Sequence, residues 1–234
     1  RDLHSFPTRR SSDLVVFPGY EKVDSAIDGG MGKILEEEMA KKHVKVVYWA
    51  DYGFVQYANN KKPIKKPEDF KGLKIRGYSE LASETIKALG ASPVTMGAGE
   101  VYMALQRGTI DGQSSGAPAM RDRKMYEVTK FLTVTNHASP EFVVAMNDKS
   151  FAKMNETQQK AFMEAAKEVR DILRKNAKAE DLKGLEDLKA KGMEIYVVPE
   201  NEIKAWQEAT KPVWDIFTKH AGEQGKKILE MCTK

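Results

Sequence analysis

The sequence predicts an α/β fold with mostly parallel sheets, and three observations carry that reading. Short β-branched and aromatic runs recur at Val44–Trp49 (VKVVYW), Phe131–Thr135 and Phe142–Met146, each the length of a strand. Between the runs, apolar residues return at helical spacing, as in Met31, Ile34, Leu35 and Met39. Strands alternating with helices favour parallel pairing, because a crossover helix returns the chain to the same end of the sheet. The 234 residues are 41% hydrophobic and 31% charged, enough to bury a core and too apolar for a wholly disordered chain. The longest apolar run, Phe142–Met146, is far short of the ~20 residues a membrane-spanning helix needs.

The elements follow in order. Arg1 to Leu14 (RDLHSFPTRRSSDL) has no helical or alternating period and no signal-peptide h-region. It is read as a foreign or disordered arm, with the natural protein beginning further upstream. A strand is expected at Val15–Phe17, a helix after Gly30 and a buried strand at Val44–Trp49. Asn59–Asp69, polar with Lys and Pro, reads as a crossing segment. Leu73–Arg76 is a short strand. Ser79 caps a helix from Glu80 to Leu89 that Gly90 ends. Pro93-Val94 is a strand remnant, Glu100–Arg107 a helix, and Asp111-Gly112 a turn. Pro118 opens a basic helix running to about Tyr126.

Asn155 with Gln158 three residues on has the form of a capping box. It opens a long helix to Lys191 with an apolar face of Phe162, Ala165, Val169, Ile172 and Leu173 and a bend at Gly184. Glu194–Val198 is a strand. A final helix presents Ile203, Trp206, Val213 and Phe217, kinked at Pro212.

The net charge of +4 comes from 38 basic and 34 acidic residues, and the lysine pairs have acids nearby. They read as solvated surface, so no nucleic-acid partner is expected. A single cysteine, Cys232, excludes an internal disulfide and a cysteine-cluster metal site. The histidines His4, His43, His137 and His220 lie too far apart for a ligand pair on one helix face, so neither metal nor cofactor is expected.

Gly112–Gly116 (GQSSG) matches the G-x-S-x-G nucleophile elbow. That chemistry needs a strand directly before the serine, a helix directly after it, and an acid and a histidine downstream. His137 or His220 with Asp148 or Asp215 would have to complete it. Gly108 ends a helix too close upstream to leave room for a long central strand. A serine hydrolase using Ser114 is therefore the alternative reading, not the leading one. The third candidate is Arg76, which taken alone reads as a surface charge. It ends a strand just before a helix start, where its planar fork can pair bidentately with a carboxylate. The helix N-terminus at Ser79 adds donors and a favourable dipole for an anion.

Several motifs recur in one order: Pro67–Arg76 (PEDFKGLKIR), Leu89–Val94 (LGASPV), Glu100–Gln113 (EVYMALQRGTIDGQ), Tyr126–Leu132 (YEVTKFL) and Thr135–His137 (TNH). This series resembles the core of the solute-binding proteins of TRAP (tripartite ATP-independent periplasmic) transporters, from about Phe17 to the C-terminus. The resemblance implies a two-lobe, periplasmic-binding-protein-like α/β fold with an interlobe ligand cleft, here with its first lobe incomplete. Residues 15–58 and 138–170 would be the remainder of the first lobe. Residues 59–137 would be the second, joined by 191–200. Residues 155–190 would form the connecting helix and 201–234 the C-terminal helices. Hinges are expected near Tyr57–Asn60 and Asn136–Pro140.

The resemblance further implies a non-enzymatic periplasmic receptor whose signal peptide lies upstream. Its partners would be a small organic acid and the permease subunits of a TRAP transporter. Arg76 matches the family's carboxylate clamp. With it, the candidate ligand-binding set is Tyr52, Ser79, Gln113, Ser114, Ser115 and Asn136. The chain departs from the family pattern in three places. Phe54-Val55-Gln56 stands where a second arginine is common, Gly97-Ala98-Gly99 replaces an aromatic residue, and Ser114-Ser115 replaces an acid and its neighbour.

Overall fold

The computed structural model describes residues 19–233, so the arm Arg1–Leu14 and the strand expected at Val15–Phe17 lie outside the described residues. The chain opens with helices α1 (Tyr20–Asp28) and α2 (Gly30–Ala40), then strands β1 (Val44–Asp51) and β2 (Val55–Asn59). After a 3₁₀ turn at Pro67–Phe70 come β3 (Lys74–Gly77), α3 (Glu80–Ala88), β4 (Ser92–Thr95), α4 (Val101–Gln106), β5 (Gly112–Gly116) and α5 (Ala117–Asp122). The remainder is β6 (Phe131–Ala138), β7 (Glu141–Asn147), α6 (Asp148–Ala152), α7 (Glu156–Ala190), β8 (Glu194–Val197), α8 (Glu200–Thr210) and α9 (Pro212–Thr233).

Two sheets form. The larger has six strands in the order β4-β3-β5-β2-β6-β8, and the smaller pairs β1 with β7 antiparallel. The large sheet is mixed rather than mostly parallel. Its outer pairs β3/β4, β3/β5 and β6/β8 are parallel, but β2 runs antiparallel to both neighbours at its centre. The reason is connectivity: β2 enters directly from the small sheet, while helices α3 and α4 carry the parallel crossovers. The turn expected at Asp111-Gly112 instead opens β5, whose five residues are all buried. Glycine and serine are poor strand formers, but here β3 and β2 satisfy the backbone from both sides, and that pairing overrides propensity.

Hydrophobic clusters cover both faces of the large sheet. One joins Ala58, Leu132 and Val134 to Val101 and Leu105 of α4, Met120 of α5, and Leu185 and Leu188 of α7. The other joins Tyr57 and Ile75 to Phe70, Ile86, Ile203 and Trp206. A third cluster packs Val23, Ile27 and Met31 against Trp49 and Phe54 beside the small sheet. Apart from Trp49, β1 is only half-buried, not the buried strand expected, because helices cover one face of a two-stranded sheet.

Helix α7 has 35 residues and opens with the capping box Asn155–Gln158. Its expected apolar face is open: Phe162, Val169, Ile172 and Leu173 are all exposed, Ile172 at 52%. The buried stripe is Ala166, Asp181, Gly184, Leu185 and Leu188. At Gly184, where a bend is expected, α7 runs on as one helix. A Cβ there would lie 2.8 Å from the Pro118 nitrogen and 2.9 Å from the Ala117 carbonyl carbon, so the glycine lets α5 approach. The expected C-terminal helix is two, α8 and α9, and α9 breaks again at Gly222.

The chain passes between the sheets at Tyr52–Phe54 and Ser139-Pro140. The hinge expected at Tyr57–Asn60 thus falls almost wholly inside β2. Asp181 of α7 meets the first link: it accepts a hydrogen bond from the Phe54 N–H at 2.8 Å and another from the Tyr20 hydroxyl. Gly53 lies between them with φ +93°, and a Cβ there would stand 2.6 Å from Asp181 Oδ1. Where the strands leave the small sheet, Asp51 and Glu141 face each other in register. Arg174 of α7 reaches Asp51 at 3.6 Å, Asp24 at 3.2 Å and Asp28 at 2.6 Å. Burial first, then the Asp51 charge, pushes the Glu141 carboxyl from its ordinary 4.5 up to about 8.

Two outcomes follow from this packing. Gly184→Val should cost about 1–3 kcal/mol of stability through overpacking against Ala117 and Pro118, while Ile172→Asp on the open face should stay within ~0.5 kcal/mol. Denaturant titration of both variants checks this, and equal losses would contradict it. The raised Glu141 pKa means that the folded state holds a proton which the unfolded chain has already released. Its stabilising contribution is complete below pH 4.5 and lost as pH rises to about 8. Glu141→Gln should flatten stability across that window relative to the parent; an unchanged slope would remove Glu141 as the cause.

Candidate functional site

Strand β3 places Arg76 beside Val94 of β4 and Gln113 of β5. Arg76 is only 7% exposed. Its Nε donates to the Met96 carbonyl at 3.1 Å and its Nη1 to the Ser114 carbonyl at 3.3 Å. The Tyr78 ring lies 5.8 Å from the guanidinium carbon. Burial, aided by the neighbouring Arg123, lowers its pKa from the ordinary arginine value, yet a guanidinium stays charged at any physiological pH. No carboxylate among the described residues pairs with it. A buried cation whose hydrogen-bond acceptors are neutral carbonyls costs several kcal/mol in lost hydration.

Ser79 does not join Arg76 through its hydroxyl. It is exposed, and its Oγ accepts from the Ala82 N–H at 3.1 Å as the cap of α3. Along β5 the side chains alternate. Gln113 and Ser115 share the face of Arg76, and Ser114 takes the opposite one. The Gln113 Nε2 is buried without a hydrogen-bond partner. The Ser115 hydroxyl lies 3.1 Å from the Tyr52 hydroxyl, which accepts from the Gly116 N–H at 3.2 Å. Tyr52 sits in the link between the sheets, its ring 5.4 Å from that of Phe142. Asn136, at the end of β6, has φ +47° and is bonded to Gln56 of β2. Arg76, Gln113, Ser115, Tyr52 and Asn136 therefore form one polar row running to the link.

Two members of this row escaped the sequence reading. Tyr78 lies just past the end of β3 with its ring beside Arg76; burial first, then Tyr52, pushes its phenol up to about 12, so it stays neutral. Gln56 is 2% exposed and fully hydrogen-bonded. Its pattern carried no signal beyond the missing arginine. A separate cavity of about 240 Å³ lies between the first two helices and β1, lined by Asp28, Lys33, Glu36, Tyr48, Trp49 and Arg170 among others. It shares no residue with the row.

The hydrolase alternative fails on geometry. The Ser114 hydroxyl lies 3.0 Å from His137 Nε2, the contact a nucleophile and base would make. The Nδ1 of that histidine bonds the Thr135 hydroxyl at 2.7 Å rather than an acid, and its ring stacks on Tyr57 at 3.9 Å. Burial lowers its pKa to about 3. Ser114 is 1% exposed in the middle of a strand, with no strained turn to present it. Asp148 pairs with exposed His43 instead, and His220 lies beside Glu80. Ser114 and His137 are a satisfied core pair.

Comparison with known proteins agrees with this architecture. A "Solute-binding protein" of Verminephrobacter eiseniae is 34% identical over 172 residues, covering 73% of this chain and 51% of that protein. The "2,3-diketo-L-gulonate-binding periplasmic protein YiaO" of Escherichia coli is 32% identical over 170 residues, covering 72% and 52%. The chain thus spans about half the length of the curated relatives it matches. Among solved structures, a TRAP periplasmic solute-binding protein from Sulfitobacter sp. NAS-14.1 with bound β-D-galacturonate superposes with a TM-score of 0.86 at 25% identity. That match covers 93% of this chain and 72% of the other, and it supports the two-lobe α/β class. The profile of the DctP family matches residues 16–220. The chain belongs to that family, family 7 of the bacterial extracellular solute-binding proteins.

Proposed function

We propose that the chain is the ligand-binding part of a periplasmic receptor that captures a small organic acid and delivers it to the permease subunits of a TRAP transporter. One observation carries the reading: Arg76 is a buried cation with no acidic partner among the described residues, in register with Gln113, whose side-chain amide is buried without a partner. A ligand carboxylate would supply the missing charge and accept from the planar fork. The names of the relatives point the same way, since 2,3-diketo-L-gulonate and galacturonate are both acids. We read the protein as a receptor and not an enzyme, because the one serine–histidine pair in the region is spent in the core. No described helix is long and apolar enough to cross a membrane.

The two sheets belong, on this reading, to two lobes. The small sheet with α1 and α2 is part of one, and the large sheet is the core of the other. The links at Tyr52–Phe54 and Ser139-Pro140, with α7 across both, form the hinge. The row passes the first link at Tyr52, so the site lies beside the hinge.

Arg76→Ala should weaken binding of a cognate acid by about 2–5 kcal/mol, since the ligand carboxylate then loses its charged partner. Arg76→Lys should also bind more weakly, for lysine cannot reproduce the planar bidentate pair. Calorimetric titration with uronates and C4-dicarboxylates measures both. Wild-type affinity in Arg76→Ala would exclude the clamp.

A further inference from the structure

Gln56 lies opposite a bulge. The register of β2 against β6 shifts between Val55 and Tyr57, so that residues 134–137 of β6 face the single residue Gln56. The Gln56 Oε1 accepts from two of their N–H groups, those of Thr135 at 2.8 Å and Asn136 at 2.9 Å. That fixes the sense of its amide. Oε1 must face the two donors, so Nε2 faces away, where it donates to the Asn136 Oδ1 and to the Phe54 carbonyl at 3.4 Å. Asn136 must then present its oxygen to Gln56 and turn its own Nδ2 outward. Asn136 is half-buried, and its Nδ2 makes no hydrogen bond among the described residues. The left-handed backbone at Asn136, φ +47°, is one that asparagine tolerates better than most residues.

We propose that Gln56 is a positioning residue that aims the Asn136 amide N–H groups at a second oxygen of the ligand, so that the site selects hydroxy- or oxo-carboxylates over plain carboxylates and amino acids. The proposal rests on the receptor reading above. Arg76 and Asn136 stand on β3 and β6, three strand spacings or about 14 Å apart across the sheet, and Asn136 lies further along β6 than Leu132, the residue level with Arg76. The fork is held at the β3 end of the row by Met96 and Ser114, so an acid bound there has Asn136 at the other end to meet its far oxygen. The orphaned Gln113 Nε2 offers a further donor on the way. An ammonium group in place of the hydroxyl would meet N–H donors, the Gln113 Nε2 among them, and no acceptor from Arg76, so an amino acid is disfavoured.

The test titrates the 234-residue chain with glycerate and gluconate, their deoxy counterparts propionate and hexanoate, and serine. The parent is compared with Gln56→Glu and Asn136→Gly. Gln56→Glu keeps an oxygen for the two backbone N–H groups but cannot donate to Asn136, whose amide then turns its Nδ2 inward. Asn136→Gly removes the side chain at a positive φ that glycine adopts freely, so one variant survives even if the buried glutamate unfolds the other. The parent should bind each hydroxy acid about tenfold tighter than its deoxy counterpart, the worth of one hydrogen bond, and should bind serine least. Both variants should lose that preference while keeping the parent's affinity for propionate and hexanoate, a split that general loss of structure would not produce. A hydroxy-acid preference retained in Asn136→Gly, or serine bound as tightly as glycerate, overturns the proposal and leaves the receptor reading standing. Failure of the parent to bind any of the acids overturns the receptor reading, and this inference with it.

Discussion

One carboxylate holds the architecture together. Asp181 lies where α7 crosses the link between the sheets, and it accepts from the Phe54 backbone and the Tyr20 hydroxyl at once. Towards its C-terminus, α7 packs Leu185 and Leu188 against the large sheet; two turns before Asp181, Arg174 joins the acids of α1 and β1. The helix is therefore fastened to both bodies, with its one carboxylate contact to the link between those attachments. The fit allows little variation: Gly53 has no room for a side chain, because Asp181 fills the space where one would start. Burial holds the Asp181 pKa up at about 6, so the carboxylate stays charged at neutral pH only with the donors it has there.

The polar row depends on the same arrangement. Tyr52 is one residue from Gly53, so the bend that Asp181 supports also places the tyrosine hydroxyl against Ser115 and Gly116. From there the row continues through Gln113 to Arg76 on one side and through Gln56 to Asn136 on the other. Apart from Arg76 it is neutral, which leaves the guanidinium as the charge that orients an incoming anion. The opposite face of the same strands is closed by Ser114, His137 and Tyr57, so one short strand serves core and site with alternate residues.

Much of this was legible beforehand, and the failures have physical causes. The helix at 156–190 and its capping box followed from side-chain chemistry at fixed spacing, as did the cap at Ser79. Strand β5 did not, because glycine, glutamine and serine carry no strand signal; its neighbours make it a strand. The apolar stripe of Phe162 to Leu173 was visible as a pattern, but periodicity says which face is apolar and not whether anything covers it. Arg76 stood out because the segment Gly72–Arg76 resembles the family's clamp motif; a strand end before a helix start would by itself have left it a surface charge. Gln56 was noticed only as the absence of an arginine. A glutamine that faces a bulge works through two backbone donors on another strand, and nothing in the linear sequence reveals that pairing.

The two carbonyls that hold Arg76 have a thermodynamic consequence. Met96 and Ser114 lie on separate segments flanking β3, and together they fix the long side chain before any anion arrives. A free arginine surrenders about 2 kcal/mol of rotamer entropy when it is immobilised. Here that loss falls on folding, so it is absent from the association step. Binding at such a preset fork should show a small entropic penalty from the protein and a favourable enthalpy, with selectivity governed by how well an acid matches a rigid donor pattern.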